Sequence, residues 1–199
     1  MIIDNKLENI KSFKTTWTVP FPPSVNIQTN DGTSDFYICN GLGLGGLQAG
    51  VHWNSKNWCY YLQNWAGGNG YVVNSPCIKI ESGAEVTGLI TLKEVKNGKW
   101  TYGISFIGHP DLDVVLINDK QINGVMLGYF HYVDDLKRGT GSTYCKMKNI
   151  CLDLTPGSPP MPAEFNWRVM GPPLHTPSGN NIVIVKNHTT NGEIDFYFQ

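Results

Sequence analysis

The sequence predicts an all-β protein: one domain spanning residues 1–199, in which two antiparallel sheets pack face to face. Apolar and polar residues alternate over short runs, and no segment sustains a helical period. Gly 22 and Pro 12 cut those runs at frequent intervals, as turns between strands require. A hydrophobic share of 41%, with Trp 6, Tyr 9 and Phe 8, supplies one large core, and 199 residues suit one domain.

Ser12 to Val19 alternates with Thr and Trp, and Pro20, Pro22 and Pro23 end that strand. Asn26 to Ser34 is polar and reads as a loop before a second strand, Phe36 to Cys39. A glycine-rich turn then feeds a strand from Leu47 to Trp53, and Asn54-Ser55-Lys56-Asn57 joins it to an aromatic strand, Trp58 to Trp65. Ala66 to Gly70 reads as a flexible rim turn. Tyr71 to Val73 and Cys77 to Ile80 are short strands around Pro76. Ala84 to Val95 and Lys99 to Ile107 form a hairpin about Asn97-Gly98, a pair suited to a type I′ turn. Strands are predicted at Leu112 to Ile117, Gly124 to Val133, Phe165 to Met170, Ile182 to Val185 and Ile194 to Phe198. Lys137 to Asn149 reads as irregular, and the prolines from Pro156 to Pro162 as a rigid connection rather than a domain linker.

In the Leu47–Trp53 strand, Gln48, Gly50 and His52 share one face and Leu47, Ala49, Val51 and Trp53 the other. The first face suits a groove. Its expected companions are Asn40, Tyr60, Asn64, Phe130 and Tyr132, a set of amides and aromatic rings fitted to a glycan or an extended peptide. Gln48→Ala and Asn64→Ala are expected to leave thermal stability nearly unchanged, because groove residues are solvated.

Leu47-Gln48-Ala49-Gly50-Val51 resembles the Leu-Gln-Thr-Gly-Val signature of the glutamic peptidases, the eqolisins. Thr16-Trp17-Thr18-Val19-Pro20 resembles their opening Trp-x-Val-Pro strand, and Phe36-Tyr37-Ile38-Cys39-Asn40-Gly41 their Trp-Val-Gly-Ile-Asp-Gly. Gln63-Asn64-Trp65 sits where they carry Tyr-Glu-Trp, and Ile80 to Val86 resembles their Gly-Asp-x-Ile hairpin. The resemblance covers roughly the first two thirds of the chain. It implies a concanavalin A-like, jelly-roll type sandwich with a catalytic Gln and a catalytic Glu facing each other in a groove. Gln48 would be that Gln. The Glu position falls on Gly128, and two further groove acids fall on Asn40 and Asn64, so the implied groove has lost its carboxylates.

Two functions follow. One is a lectin-like or peptide-binding sandwich in a degenerate peptidase groove. The other is an active glutamic-type endopeptidase, or another hydrolase, using Gln48 with His52 or with an unrecognised carboxylate among Glu81, Glu85, Glu94, Glu164 and Glu193.

A net charge of −1 gives no basic footprint for nucleic acid, and no apolar run approaches the length of a membrane span. No cofactor or metal motif stands out. Asp134-Asp135 and Asp111-x-Asp113 read as solvated turns, with calcium as the alternative, and the five histidines lack ligand spacing. Five cysteines form no CxxC pair, so reduced, buried thiols are expected, with a Cys145–Cys151 bridge as the alternative. With no signal pattern after Met1, the expectation is a cytoplasmic protein.

Overall fold

The computed structural model describes residues 2–22, 36–43, 46–54, 56–64, 71–73, 78–131, 143–170 and 181–198. Among them every regular element is a strand, and the strands form two antiparallel sheets. The first holds β1 (Ile2–Asn5), β3 (Phe36–Leu42), β4 (Leu47–Trp53), β5 (Trp58–Asn64), β6 (Tyr71–Val73), β7 (Lys79–Ile80), β11 (Val125–His131) and β13 (Arg168–Met170). Its order is β13-β1-β11-β3-β4-β5-β6, with β7 also paired to β5. The second holds β2 (Ile10–Thr18), β8 (Glu85–Lys96), β9 (Lys99–Phe106), β10 (His109–Asn118), β12 (Thr143–Leu154), β14 (Asn181–Lys186) and β15 (Gly192–Phe198). It runs β10-β9-β8-β2-β12-β15-β14.

The core lies between the sheets, where alternate residues of both meet. Ile38, Leu47, Ala49, Val51, Leu62 and Leu127 face Phe13, Trp17, Ile90, Ile104, Met147 and Phe196 across it. Burying such side chains contributes about 1.5–3 kcal/mol each. The Asn97-Gly98 turn is as predicted: φ is 51° and 72° at its two central residues, and Lys96 pairs with Lys99. In the β4–β5 turn, Asn54 Oδ1 accepts from the backbone N–H of Lys56 (3.2 Å) and Asn57 (2.8 Å), which closes the hairpin on the pair Trp53–Trp58.

Of the segment expected to be irregular, Thr143 to Asn149 belongs to β12, a twelve-residue strand between β2 and β15 in the second sheet, and Lys137 to Ser142 lies outside the described residues. Its alternation is real but changes phase at Asn149, which sits at φ 52° where the pairing shifts register. Cys145 and Cys151 are both free, so no bridge joins them. Cys59 is disulfide-bonded, against the expectation of reduced thiols throughout.

Candidate functional site

The register of the first sheet decides which side chains share a face with Gln48. Paired residues of antiparallel strands point the same way. Gln48 pairs with Gly41 of β3 and Gln63 of β5, and Gly41 pairs with Met126 of β11. The next row reads Gly128, Cys39, Gly50, Tyr61, and the one after it Phe130, Tyr37, His52, Cys59. These rows form the outer face of the sheet, away from the core.

Cys39, Tyr61 and Met126 bury against one another there, with Tyr37 packed on them, in a cluster separate from the inter-sheet core. Gln48 sits beside them at 4% exposure. Its Oε1 accepts from the Tyr61 hydroxyl (3.3 Å) and the Cys39 thiol (3.5 Å). The amide is thereby oriented, and what it has left to offer is its Nε2 donor pair. Burial pushes the Cys39 thiol up to about 12, partly offset by its bond with Tyr61, so it remains a donor and is no thiolate nucleophile at neutral pH.

His52 lies half-buried beside two tyrosine rings, its centroid 5.9 Å from Tyr37 and 5.9 Å from Tyr61. Tyr37 and Tyr61 meet edge to face at 5.2 Å. Burial lowers the His52 pKa to about 4, so the imidazole is neutral at neutral pH.

Gln48 and His52 therefore share a face as expected, but Asn40, Tyr60 and Asn64 do not join them. Tyr60 pairs with Val51, Asn64 with Leu47, and Asn40 with Ala49, all core-facing positions. Asn40 is 0% exposed, with Nδ2 donating to the Gly88 carbonyl (3.4 Å) and Oδ1 without a hydrogen-bond partner. The Tyr60 hydroxyl bonds His109 Nε2 (2.8 Å), which ties β5 to β10 across the sandwich. The physical reason is parity. A register offset of one residue moves a whole set of side chains to the opposite face. Phe130 falls in a groove-face row, but its side chain, like the whole of Tyr132, Asp134, Asp135 and the Ala66–Gly70 turn, lies outside the described residues.

The residue that confronts Gln48 across the narrow Gly41 is Met126, not the Gly128 of the sequence alignment. A Cβ built on Gly41 would meet Met126 Cγ at 3.0 Å and Gln48 Cγ at 3.3 Å, so only glycine leaves room for the two side chains to approach. Along this row the next acid is Asp4, paired with Met126 from β1. It stands three strands from Gln48, about 14 Å at the usual strand spacing. Arg168 of β13 holds it in a fork, Nε to Oδ1 at 3.1 Å and Nη2 to Oδ2 at 2.5 Å. Asp111 and Asp113 are exposed on β10, and among the described residues no three His, Cys, Asp or Glu converge as a metal site.

The site thus offers an oriented amide, a neutral imidazole and two aromatic rings, with no carboxylate beside them among the described residues. Because Gln48 is buried and bonded, its loss should register in stability, contrary to the expectation for a solvated groove. Gln48→Ala leaves the Tyr61 hydroxyl and the Cys39 thiol without their acceptor and should cost about 1–3 kcal/mol in urea unfolding. A change below about 0.5 kcal/mol, the usual range for surface substitutions, would contradict this placement.

No family model matches the chain, and no curated protein matches it. Solved structures do. The crystal structure of scytalido-glutamic peptidase with a transition-state analogue inhibitor superposes with a TM-score of 0.56 at 7% identity, covering 97% of this chain and 95% of that one. SCP-B, an eqolisin-family peptidase in complex with the tripeptide Ala-Ile-His, gives a TM-score of 0.58 at 7% identity, covering 100% and 96%. At that identity the likeness is one of fold. Over its whole length, the chain has a β-sandwich fold like that of the glutamic peptidases.

Proposed function

We propose that the chain is a binding module on a glutamic-peptidase-like sandwich, taking a neutral glycan or an extended peptide on the outer face of the first sheet. The observation that carries this reading is Met126 where a carboxylate would have to face Gln48. A glutamine can donate to a developing oxyanion, but activating water needs a base, whose contribution is roughly 10²–10⁴ in rate. Neither Met126 nor Gly128 can supply it, and a His52 held near pKa 4 is a weak base. The remaining equipment suits recognition. Gln48 Nε2 and Gln63 can address carbonyl or hydroxyl oxygens, and the half-buried rings of Tyr37 and His52 supply flat area over the buried Tyr61. The disulfide at Cys59 favours an oxidising compartment over the cytoplasm.

Glycan and peptide arrays identify the ligand class. Gln48→Ala should then weaken binding by about 1–3 kcal/mol, as for a hydrogen-bonding partner left unpaired. Gln63→Ala, which leaves the Tyr61–Gln48 bond in place, should weaken it by a similar amount. Cleavage of denatured casein in acid that is abolished by Gln48→Glu would overturn the binding reading in favour of an active peptidase.

A further inference from the structure

A second cluster lies on the opposite side of the molecule, on the outward face of the second sheet. Tyr144 of β12 pairs with Tyr197 of β15, and Lys146 pairs with Asp195 in the next outward row. The two rings stand 5.1 Å apart, tilted by 36°. Both hydroxyls lean along the strands onto one carboxylate: Tyr144 donates to Asp195 Oδ1 (3.0 Å) and Tyr197 to Oδ2 (3.4 Å). Asp195 is 8% exposed, whereas Tyr144 and Tyr197 are 43% and 39% exposed.

The charges around Asp195 do not cancel it. Lys146 pairs with Glu193 (2.5 Å), and Lys148 pairs with Glu85. Among the described residues no cation comes within ion-pair distance of Asp195, which keeps two neutral phenols as its partners. Lys146, cross-strand from Asp195, feels its charge, but its ammonium is taken by Glu193. A buried carboxylate with no ion pair of its own is costly, and phenols are poor substitutes for a cation. A phenol that donates to a carboxylate is also enriched in ring electron density, which strengthens its attraction for a cation above the ring. Val183 of β14 pairs with Asp195 from the other side and stands half-exposed beside it, adding an apolar flank.

We propose that Tyr144, Tyr197 and Asp195 form a binding site for an organic cation, in which an ammonium or guanidinium group rests on the exposed tyrosines above the buried carboxylate. The ligand class is set by charge complementarity. A neutral sugar would use the rings but leave Asp195 without an ion pair of its own. The site is independent of the Gln48 face, so its failure would leave the binding module as proposed.

The test is an NMR titration of the native chain, observing the tyrosine ring resonances, with tetramethylammonium chloride and with L-argininamide. Neopentyl alcohol is the neutral, isosteric control, and sodium chloride is the ionic-strength control. Shifts at Tyr144 and Tyr197 should saturate at millimolar cation, with at least tenfold weaker response to the alcohol and none specific to sodium. Asp195→Asn keeps the size and a hydroxyl acceptor, and it should weaken tetramethylammonium binding at least fivefold. Tyr144→Leu, at an exposed position, should do the same with the strands still paired. Equal binding of the alcohol, or cation binding undiminished in both variants, would overturn the proposal. So would the absence of any saturable shift in the native chain.

Discussion

Gly50→Ala should be among the most damaging single-methyl changes in the first sheet, costing about 3 kcal/mol, the upper end for overpacking a filled interior. An added Cβ would lie 2.4 Å from the Ile38 carbonyl oxygen and 2.4 Å from Tyr61 Cε1. The carbonyl belongs to the neighbouring strand of the ladder and can move only with it. The ring can move, but its hydroxyl is what fixes the Gln48 amide. The substitution therefore acts twice, widening the β3–β4 spacing and pushing Tyr61 off Gln48. Urea unfolding gives the stability loss, and near-ultraviolet circular dichroism reports the displaced tyrosine. Tyr61→Leu removes the ring atoms that the methyl meets and leaves only the Ile38 carbonyl, so the double variant should lose less than the two single losses combined, with a coupling of about 1 kcal/mol. A Gly50→Ala protein as stable as the parent would mean that the Tyr61–Gly50 stacking is wrong, and with it the arrangement of the site.

The same rows show what the sequence could and could not convey. Period-two alternation and turn chemistry were enough for the architecture, and Asn97-Gly98 even specified its turn type. The β12 strand was hidden because Asn149 takes a left-handed conformation and shifts the alternation midway, so that neither half reads as a long strand. Ile2–Asn5 was too short to show a period at all, yet it brings Asp4 onto the same sheet face as Gln48. The site itself was half legible. Gln48 and His52 follow from alternation within one strand, but their partners depend on the register between strands. The loop length held the answer. Four residues from Asn54 to Asn57 make Trp53 pair with Trp58, which sets Gln48 opposite Gln63 and Gly50 opposite Tyr61. Tyr60 and Asn64 are thereby sent to the core. Cys39 follows likewise from the short turn between Leu42 and Leu47, which sets it opposite Gly50. Met126 could not be found this way, because pairing of β11 with β3 joins segments far apart in sequence, with no turn to fix their register.

Acid should weaken this protein through His52. Its pKa falls from 6.5 to about 4 because burial penalises the charged ring. In the unfolded chain the imidazole takes its proton near pH 6.5, while the folded chain resists until about pH 4. The unfolded state thus binds more protons in that window, and stability falls as pH falls through it. The contribution is fully present above about pH 6.5, declines below that, and is lost once the pH has dropped through about 4. A fall from 6.5 to about 4 corresponds to at most about 3 kcal/mol, reduced to about 2 by the partial exposure of the ring. Carboxylates titrate over part of the same range, so the informative quantity is the difference between the parent and His52→Gln, which keeps a neutral polar side chain. The stability difference between the two should change by about 2 kcal/mol between neutral pH and pH 4, with the variant losing less. Parallel curves would mean that His52 is solvated in the folded chain. If the dependence is present, the aromatic face around His52 and Gln48 is at its most ordered near neutrality, the range in which ligand binding there should be sought.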